Sequence, residues 1–208
     1  YLCIYPNYAS VSENSDNLAQ GQLGTPTYAE HVAEYCKHVP TDYICYDFYV
    51  YSSLKNFVPK AFDNLQIVAD ACTGTGRSLW ITLQVNSRFA EKWTSENQLR
   101  YQAYTAMAFG AENIIWACYT LGWWKNQVVD IEGKKTEQYP KLQKVNAEIH
   151  RLSDNYMQYR RTSTAFVGFD GTDWLEGTQL ASMDELNTMV FSHVRATDDS
   201  PLVIGSMA

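Results

Sequence analysis

Four times in its first 160 residues the chain repeats one unit: a short apolar run, a polar turn, then a stretch with apolar residues at helical spacing. The apolar runs fall at residues 1–5, 43–46, 78–85 and 113–119, and the helical stretches at 28–38, 54–73, 96–109 and 139–157. Each unit is about 35 to 40 residues long, the period of βα units in a parallel sheet. The runs are rich in aromatic and β-branched residues, as expected of strands covered on both faces. Local signals agree. Pro40 ends the first helix, and Gly74 and Gly76 are expected to stop the second. Thr94 is expected to cap the third, with a carboxamide or carboxylate at the third helical position.

After Arg160-Arg161 the pattern changes. Residues 164–169, 189–194 and 202–204 read as strands separated by turns rich in Gly and Asp, with no convincing helix. The predicted fold class is therefore α/β over residues 1–160, followed by the start of an all-β, sandwich-like domain over 161–208. Four βα units are half of an eight-stranded barrel. The chain opens within a strand and closes on one, so both ends look cut, and the expectation is strands five to eight of a (β/α)8 barrel. The competing reading, a complete small doubly wound sheet, lacks a Gly-rich phosphate turn: Gly74-Thr75-Gly76 follows a helix, the wrong side for that motif.

Composition narrows the partners. A net charge of −7 and a pI near 5.0 leave no basic patch for nucleic acid or an anionic membrane surface. No apolar run reaches the roughly 18 residues of a membrane span. The five cysteines (Cys3, Cys36, Cys45, Cys72, Cys118) show neither a CxxC pair nor zinc spacing, so no metal and no cofactor is expected. Cys3, Cys45 and Cys118 fall inside predicted strands, where a cysteine is ordinarily a small buried hydrophobe. Aromatic residues reach 14% of the chain, a surplus that fits a cleft offering flat faces to the apolar faces of a pyranose.

The strongest candidate for chemistry is Asp47. It follows the apolar run 43–46 and is flanked by Phe48, Tyr49 and Tyr51. In barrels built of βα units the chemistry sits at the C-terminal ends of the strands. Asn7, Gln84 and Asn86 stand at other strand ends as polar groups able to bond sugar hydroxyls or loop backbone. Trp123 and Trp124 lie in a Gly-containing loop, where neighbours seldom both point inward, and are candidate sugar platforms. Tyr49 and Tyr119 are candidate walls of the site. His31 and His38 read as surface helix residues.

The strings Ile4-Tyr5-Pro6-Asn7-Tyr8-Ala9, Tyr28-Ala29-Glu30-His31-Val32 and Asp42-Tyr43-Ile44-Cys45-Tyr46-Asp47-Phe48-Tyr49 resemble the later half of bacterial glycoside-hydrolase-like barrels of the clan A beta-galactosidase type. Leu83-Gln84, Glu96 to Gln102, Ala108-Phe109-Gly110-Ala111, Asp130 to Thr136 and Val145 to Ile149 fit in order. The resemblance covers roughly residues 1–160 and rests on ordered pieces rather than one diagnostic motif. It implies a carbohydrate-active hydrolase acting on O-glycosidic bonds of an oligosaccharide or glycan, and tips localisation towards secreted or periplasmic. It also implies an acid/base Glu after strand four, upstream of Tyr1, and a nucleophile Glu after strand seven, where this chain has Gln84. A glutamine cannot be that nucleophile. Three mechanisms remain: Asp47 acting with an upstream Glu; a substrate acetamido group as nucleophile, oriented by a side chain such as Gln84 or Tyr119; or a barrel that binds sugar without cutting it. The fragment alone is expected to be inactive. A non-catalytic carbohydrate-binding or scaffold barrel is the alternative function. A phosphate-handling barrel is disfavoured, because no strand-end Lys is present and no Gly-rich turn follows the last strands.

Overall fold

The computed structural model describes residues 1–9, 21–51, 57–87, 89–120, 122, 124–167 and 202–208. Their elements run in the order α1 (Tyr28–His38), β1 (Tyr43–Phe48), α2 (Phe57–Thr75), β2 (Ser78–Gln84), α3 (Glu96–Ala108), β3 (Ala111–Ala117), α4 (Gln138–Tyr156), β4 (Arg161–Val167) and β5 (Leu202–Met207). The protein is mixed α/β. A three-stranded sheet has the consecutive order β1-β2-β3, parallel throughout, and β4 pairs with β5 antiparallel in a second sheet. The expected strand at residues 1–5 is a single parallel bridge, Ile4 to Tyr46, with the Ile4 amide donating to the Cys45 carbonyl at 2.8 Å. It extends the consecutive parallel order by one position. The expected strand at 189–194 lies outside the described residues.

Alternation along β1 sorts its side chains. Ile44, Tyr46 and Phe48 pack into one core with Leu79, Ile81 and Leu83 of β2 and with Val32, Phe62, Leu65 and Val68 from the helices. Cys45 and Asp47 fall on the other face, beside their register partners Trp80 and Thr82. Tyr43 stacks on Trp80 there, with ring centroids 4.1 Å apart. A second core joins Val85, Leu99, Val128, Leu142 and Val145 between α3 and α4. Leu152, at helical spacing from Val145 and Ile149, is 48% exposed, because the second core ends a turn earlier.

Helix termini follow local chemistry. Thr27 caps α1 in a reciprocal box with Glu30, worth about 1 kcal/mol. The cap of α3 is Ser95 with Gln98, not Thr94. The Thr94 hydroxyl is drawn off by the Asn86 carbonyl at 3.1 Å, which ties the loop after β2 to the start of α3. Likewise α2 runs through Gly74, and Gly76, at φ +70°, makes the left-handed exit. Helices α3 and α4 are clasped by Arg100, whose Nε and Nη2 each reach a Glu148 oxygen at 2.7 Å; Nη2 also pairs with Glu96, and Glu96 with Lys144 at 2.7 Å.

The β4–β5 pair seats on the ends of α2 and α3. Arg161, buried, donates through Nη1 to Asp70 Oδ1 at 3.0 Å and through Nε to Thr164 Oγ1 at 2.8 Å, with its guanidinium 5.8 Å from the centroid of Phe109. The Thr164 hydroxyl donates to the Ala108 carbonyl at 3.1 Å. Gly205 lies so close to the same carbonyl that a Cβ there would collide with it, which is why β5 carries a glycine at that point.

Candidate functional site

Near the C-terminal ends of β1 and β2, Asp47 stands beside its register partner Thr82. It belongs to β1 itself, one residue before the strand's last, rather than to the loop beyond it. Two residues on, Tyr49 shares its face and donates a hydrogen bond to its carboxylate. Burial raises the Asp47 pKa above the ordinary carboxylate range, and the Tyr49 hydrogen bond pulls it part of the way back. Tyr49 is itself raised, first by burial, then by the Asp47 charge and hydrogen bond, with Cys118 contributing. Tyr8, two residues past Pro6, sits edge-on to Phe48 at 5.4 Å, and its phenol is pushed up to about 12 by burial and then by Asp47. Trp124 meets Tyr49 edge-on at 5.3 Å. Asp47 thus lies beside Tyr49, within electrostatic reach of Tyr8, and Trp124 packs on Tyr49.

Other expected site residues have different employment. The Asn7 side chain turns to α2: its Nδ2 donates to Asp63 Oδ2 at 2.8 Å and to the Lys60 carbonyl at 2.9 Å. Asn64 Oδ1 accepts the Asn7 amide at 2.5 Å, and Asn64 in turn donates to the Tyr28 hydroxyl at 3.1 Å. Asn7 therefore pins the loop after residue 4 to the helix layer. Gln84, 1% exposed, has both ends of its side chain engaged: Oε1 accepts the Tyr51 amide and Nε2 donates to the Asn86 carbonyl, each at 3.0 Å. Asn86 differs. It is equally buried, and its side-chain amide hydrogen-bonds the Cys118 thiol, lowering a pKa that burial raises. Tyr119, 53% exposed, borders a cavity with Val128, Tyr139 and Leu142 on the α4 side. Trp123 lies outside the described residues.

Sequence reading missed Tyr8, Thr82 and the pair Cys3 and Cys45, whose sulfurs lie 3.9 Å apart. Thr82 is the register partner of Asp47 and hydrogen-bonds the Cys45 thiol. A proposed register between the apolar runs would have set Thr82 and both cysteines beside Asp47, because residues opposite one another on neighbouring strands share a face. Cys3, expected to be a buried strand cysteine, is exposed, and Cys118 stands just past the end of β3.

Chemically, a carboxyl whose pKa burial raises, hydrogen-bonded to a phenol, is suited to deliver or accept a proton. Among the described residues, no group of three His, Cys, Asp or Glu is placed to hold a metal ion, and no helix is long and apolar enough to cross a membrane. No known protein-family model matches the chain, and no curated protein matches it.

Proposed function

We propose that the chain is the C-terminal half of a glycoside-hydrolase-like (β/α)8 barrel whose intact form cleaves O-glycosidic bonds in an oligosaccharide or glycan, with residues 161–208 opening a β-rich accessory domain. The observation that carries this reading is Asp47: a half-buried carboxyl of raised pKa, held by Tyr49 among aromatic rings at the C-terminal ends of parallel strands. The consecutive parallel order, extended by the Ile4 bridge, supports the barrel, since a doubly wound sheet reverses its order at a switch point. In this reading Asp47 is the proton-transferring group, and Trp124 and Tyr49 offer a platform to a sugar ring. The second carboxylate of a hydrolase comes from the other half of the barrel.

A second reading, a barrel that binds sugar without cutting it, is favoured by Gln84: the strand end where clan A nucleophiles stand carries a carboxamide whose two ends are both taken up internally. Hydrolysis of an oligosaccharide panel by the protein extended to a complete barrel, wild type beside Asp47→Asn, separates the two. Cleavage that falls by roughly a hundredfold or more in the variant supports the hydrolase. Sugar binding without cleavage by either protein sinks it.

A further inference from the structure

Cys3 and Cys45 lie on neighbouring parallel segments at the same level. Ile4 bridges to Tyr46 and its amide donates to the Cys45 carbonyl at 2.8 Å, so the residue before each, Cys3 and Cys45, are register partners. Paired strands run about 4.8 Å apart, inside the Cα separation of about 4.4 to 6.8 Å that a disulfide spans. The two sulfurs are 3.9 Å apart and need close only to about 2 Å, a movement within reach of side-chain rotation. Both residues point to the face opposite the helices, because Ile4 and Tyr46 point into the core. The two thiols differ in access: Cys3 is exposed and Cys45 is fully buried. An exposed thiol with a buried partner at contact distance is the arrangement of an attacking and a resolving cysteine.

We propose that Cys3 and Cys45 form a reversible disulfide that fastens the chain around Ile4 to β1, made by exchange with a small-molecule disulfide such as oxidised glutathione. The Cys3 thiolate, its proton released to solvent, attacks one sulfur of the reagent. The reagent S–S bond breaks, a mixed disulfide forms on Cys3, and one glutathione thiolate leaves. The Cys45 thiolate then attacks the Cys3 sulfur, the Cys3–Cys45 bond forms and the second glutathione thiolate leaves. The protein has lost two electrons and two protons, and the reagent disulfide has gained two electrons. The hydrogen bond between the two thiols raises Cys3, so alkaline pH favours the first exchange; once Cys3 is in the mixed disulfide, the Thr82 hydrogen bond remains to favour the Cys45 thiolate for the resolving step. The bond joins residues 42 apart and closes a loop containing α1 and Tyr8, so oxidation fixes one wall of the Asp47 site to the strand that carries Asp47.

The test uses the whole chain, reduced and then equilibrated with oxidised glutathione, followed by intact mass and by peptide mapping without reduction. The expected product is two hydrogens lighter than the reduced protein, with the peptide bearing Cys3 linked to the peptide bearing Cys45. Its melting temperature should rise by on the order of 5 to 10 °C over the reduced form, and dithiothreitol should reverse the change. Cys3→Ser, a substitution at an exposed site that leaves the core untouched, should abolish both the mass loss and the thermal shift. A mixed disulfide that persists on Cys3, a crosslink between Cys36 and Cys72 instead, or an unchanged mass would each overturn the proposal.

Discussion

The side chain of Gln102 on α3 closes both backbone groups of Gln84 at the end of β2: Oε1 accepts the Gln84 amide at 3.0 Å, and Nε2 donates to the Gln84 carbonyl at 2.9 Å. Gln102 is 3% exposed. The carboxamide thus stands in for the strand that would otherwise pair there, and it explains how a polar residue fits the buried face of a helix. It also fixes the Gln84 to Asn86 segment, which lies beyond Thr82, the register partner of Asp47.

Gln102→Met keeps the volume and removes both partners, leaving a buried N–H and a buried C=O unsatisfied. The expected loss is about 2 to 6 kcal/mol, from about 1 to 3 kcal/mol for each orphaned group. Urea unfolding should show a lower midpoint with the slope unchanged. A loss under about 0.5 kcal/mol would mean that water replaces the clamp.

The Arg161–Asp70 pair joins the β4–β5 sheet to α2. Its two ends are unequal: the Arg161 side chain is 4% exposed and that of Asp70 is 44% exposed. Asp70→Ala strands a buried guanidinium that still has Thr164 as a partner. Because the Asp70 end is solvated and screened, the expected cost is about 1 to 2 kcal/mol, below the range for a fully buried pair. The cost should shrink only slightly in 1 M salt, since the arginine end is dry. Thermal melts of both proteins at low and high salt check this.

The βα framework was legible because each strand and helix carries its own periodicity. The runs at 43–46, 78–85 and 113–119 had to be strands, and the helix at Tyr28–His38 has the bounds its caps dictated. Asp47 was legible because a strand end among aromatics is a local pattern. What was not local was not legible. Asn7 and Gln84 are polar strand-end residues like Asn86, yet only register and helix packing decide that their amides go to Asp63 and to Tyr51. Tyr8 sits two residues beyond a proline turn, and nothing in that turn announces that it folds back on Phe48.

Stability should record the Asp47 environment. Its folded pKa is raised, so in the window above its unfolded value the native state holds more protons than the unfolded one, and stability contributed by this group falls as pH rises through that window. Asp47→Asn removes the buried charge. The variant should therefore melt higher than wild type near pH 7, and the gap should close as pH drops below the unfolded pKa of an ordinary Asp, about 3.9. Paired melts from pH 3 to 8 test the sign. A gap that widens on acidification would show that Asp47 is stabilised as the anion.

Glu148 should behave in the opposite sense. The Arg100 fork holds its carboxyl down to about 2 against an ordinary 4.5, so its contribution is complete above the unfolded value and is lost as pH falls towards about 2. Glu148→Gln should melt below wild type at pH 6, with the difference narrowing below about 4.5 and vanishing near 2. The same melts in 1 M salt should show a smaller difference, because the pair lies at the surface of the α3–α4 contact. A difference independent of pH from 6 to 2 would assign the effect to packing instead of charge.

Trp124 offers an optical readout of the proposed sugar site. Its ring meets Tyr49 edge-on at 5.3 Å, and Tyr49 is bonded to Asp47, so a sugar seated against the pair changes the polarity around the indole. Titration of the protein, extended to the proposed complete barrel, with the oligosaccharide panel should shift or quench tryptophan emission in a saturable way. Trp124→Ala should weaken binding by roughly tenfold, the loss of about 1 to 1.5 kcal/mol of aromatic contact. Asp47→Asn, which keeps the shape of the site, should bind nearly as well as wild type while losing turnover. The two variants thereby separate platform from chemistry: a Trp124→Ala protein that binds with unchanged affinity would move the sugar away from this face, whatever Asp47 does.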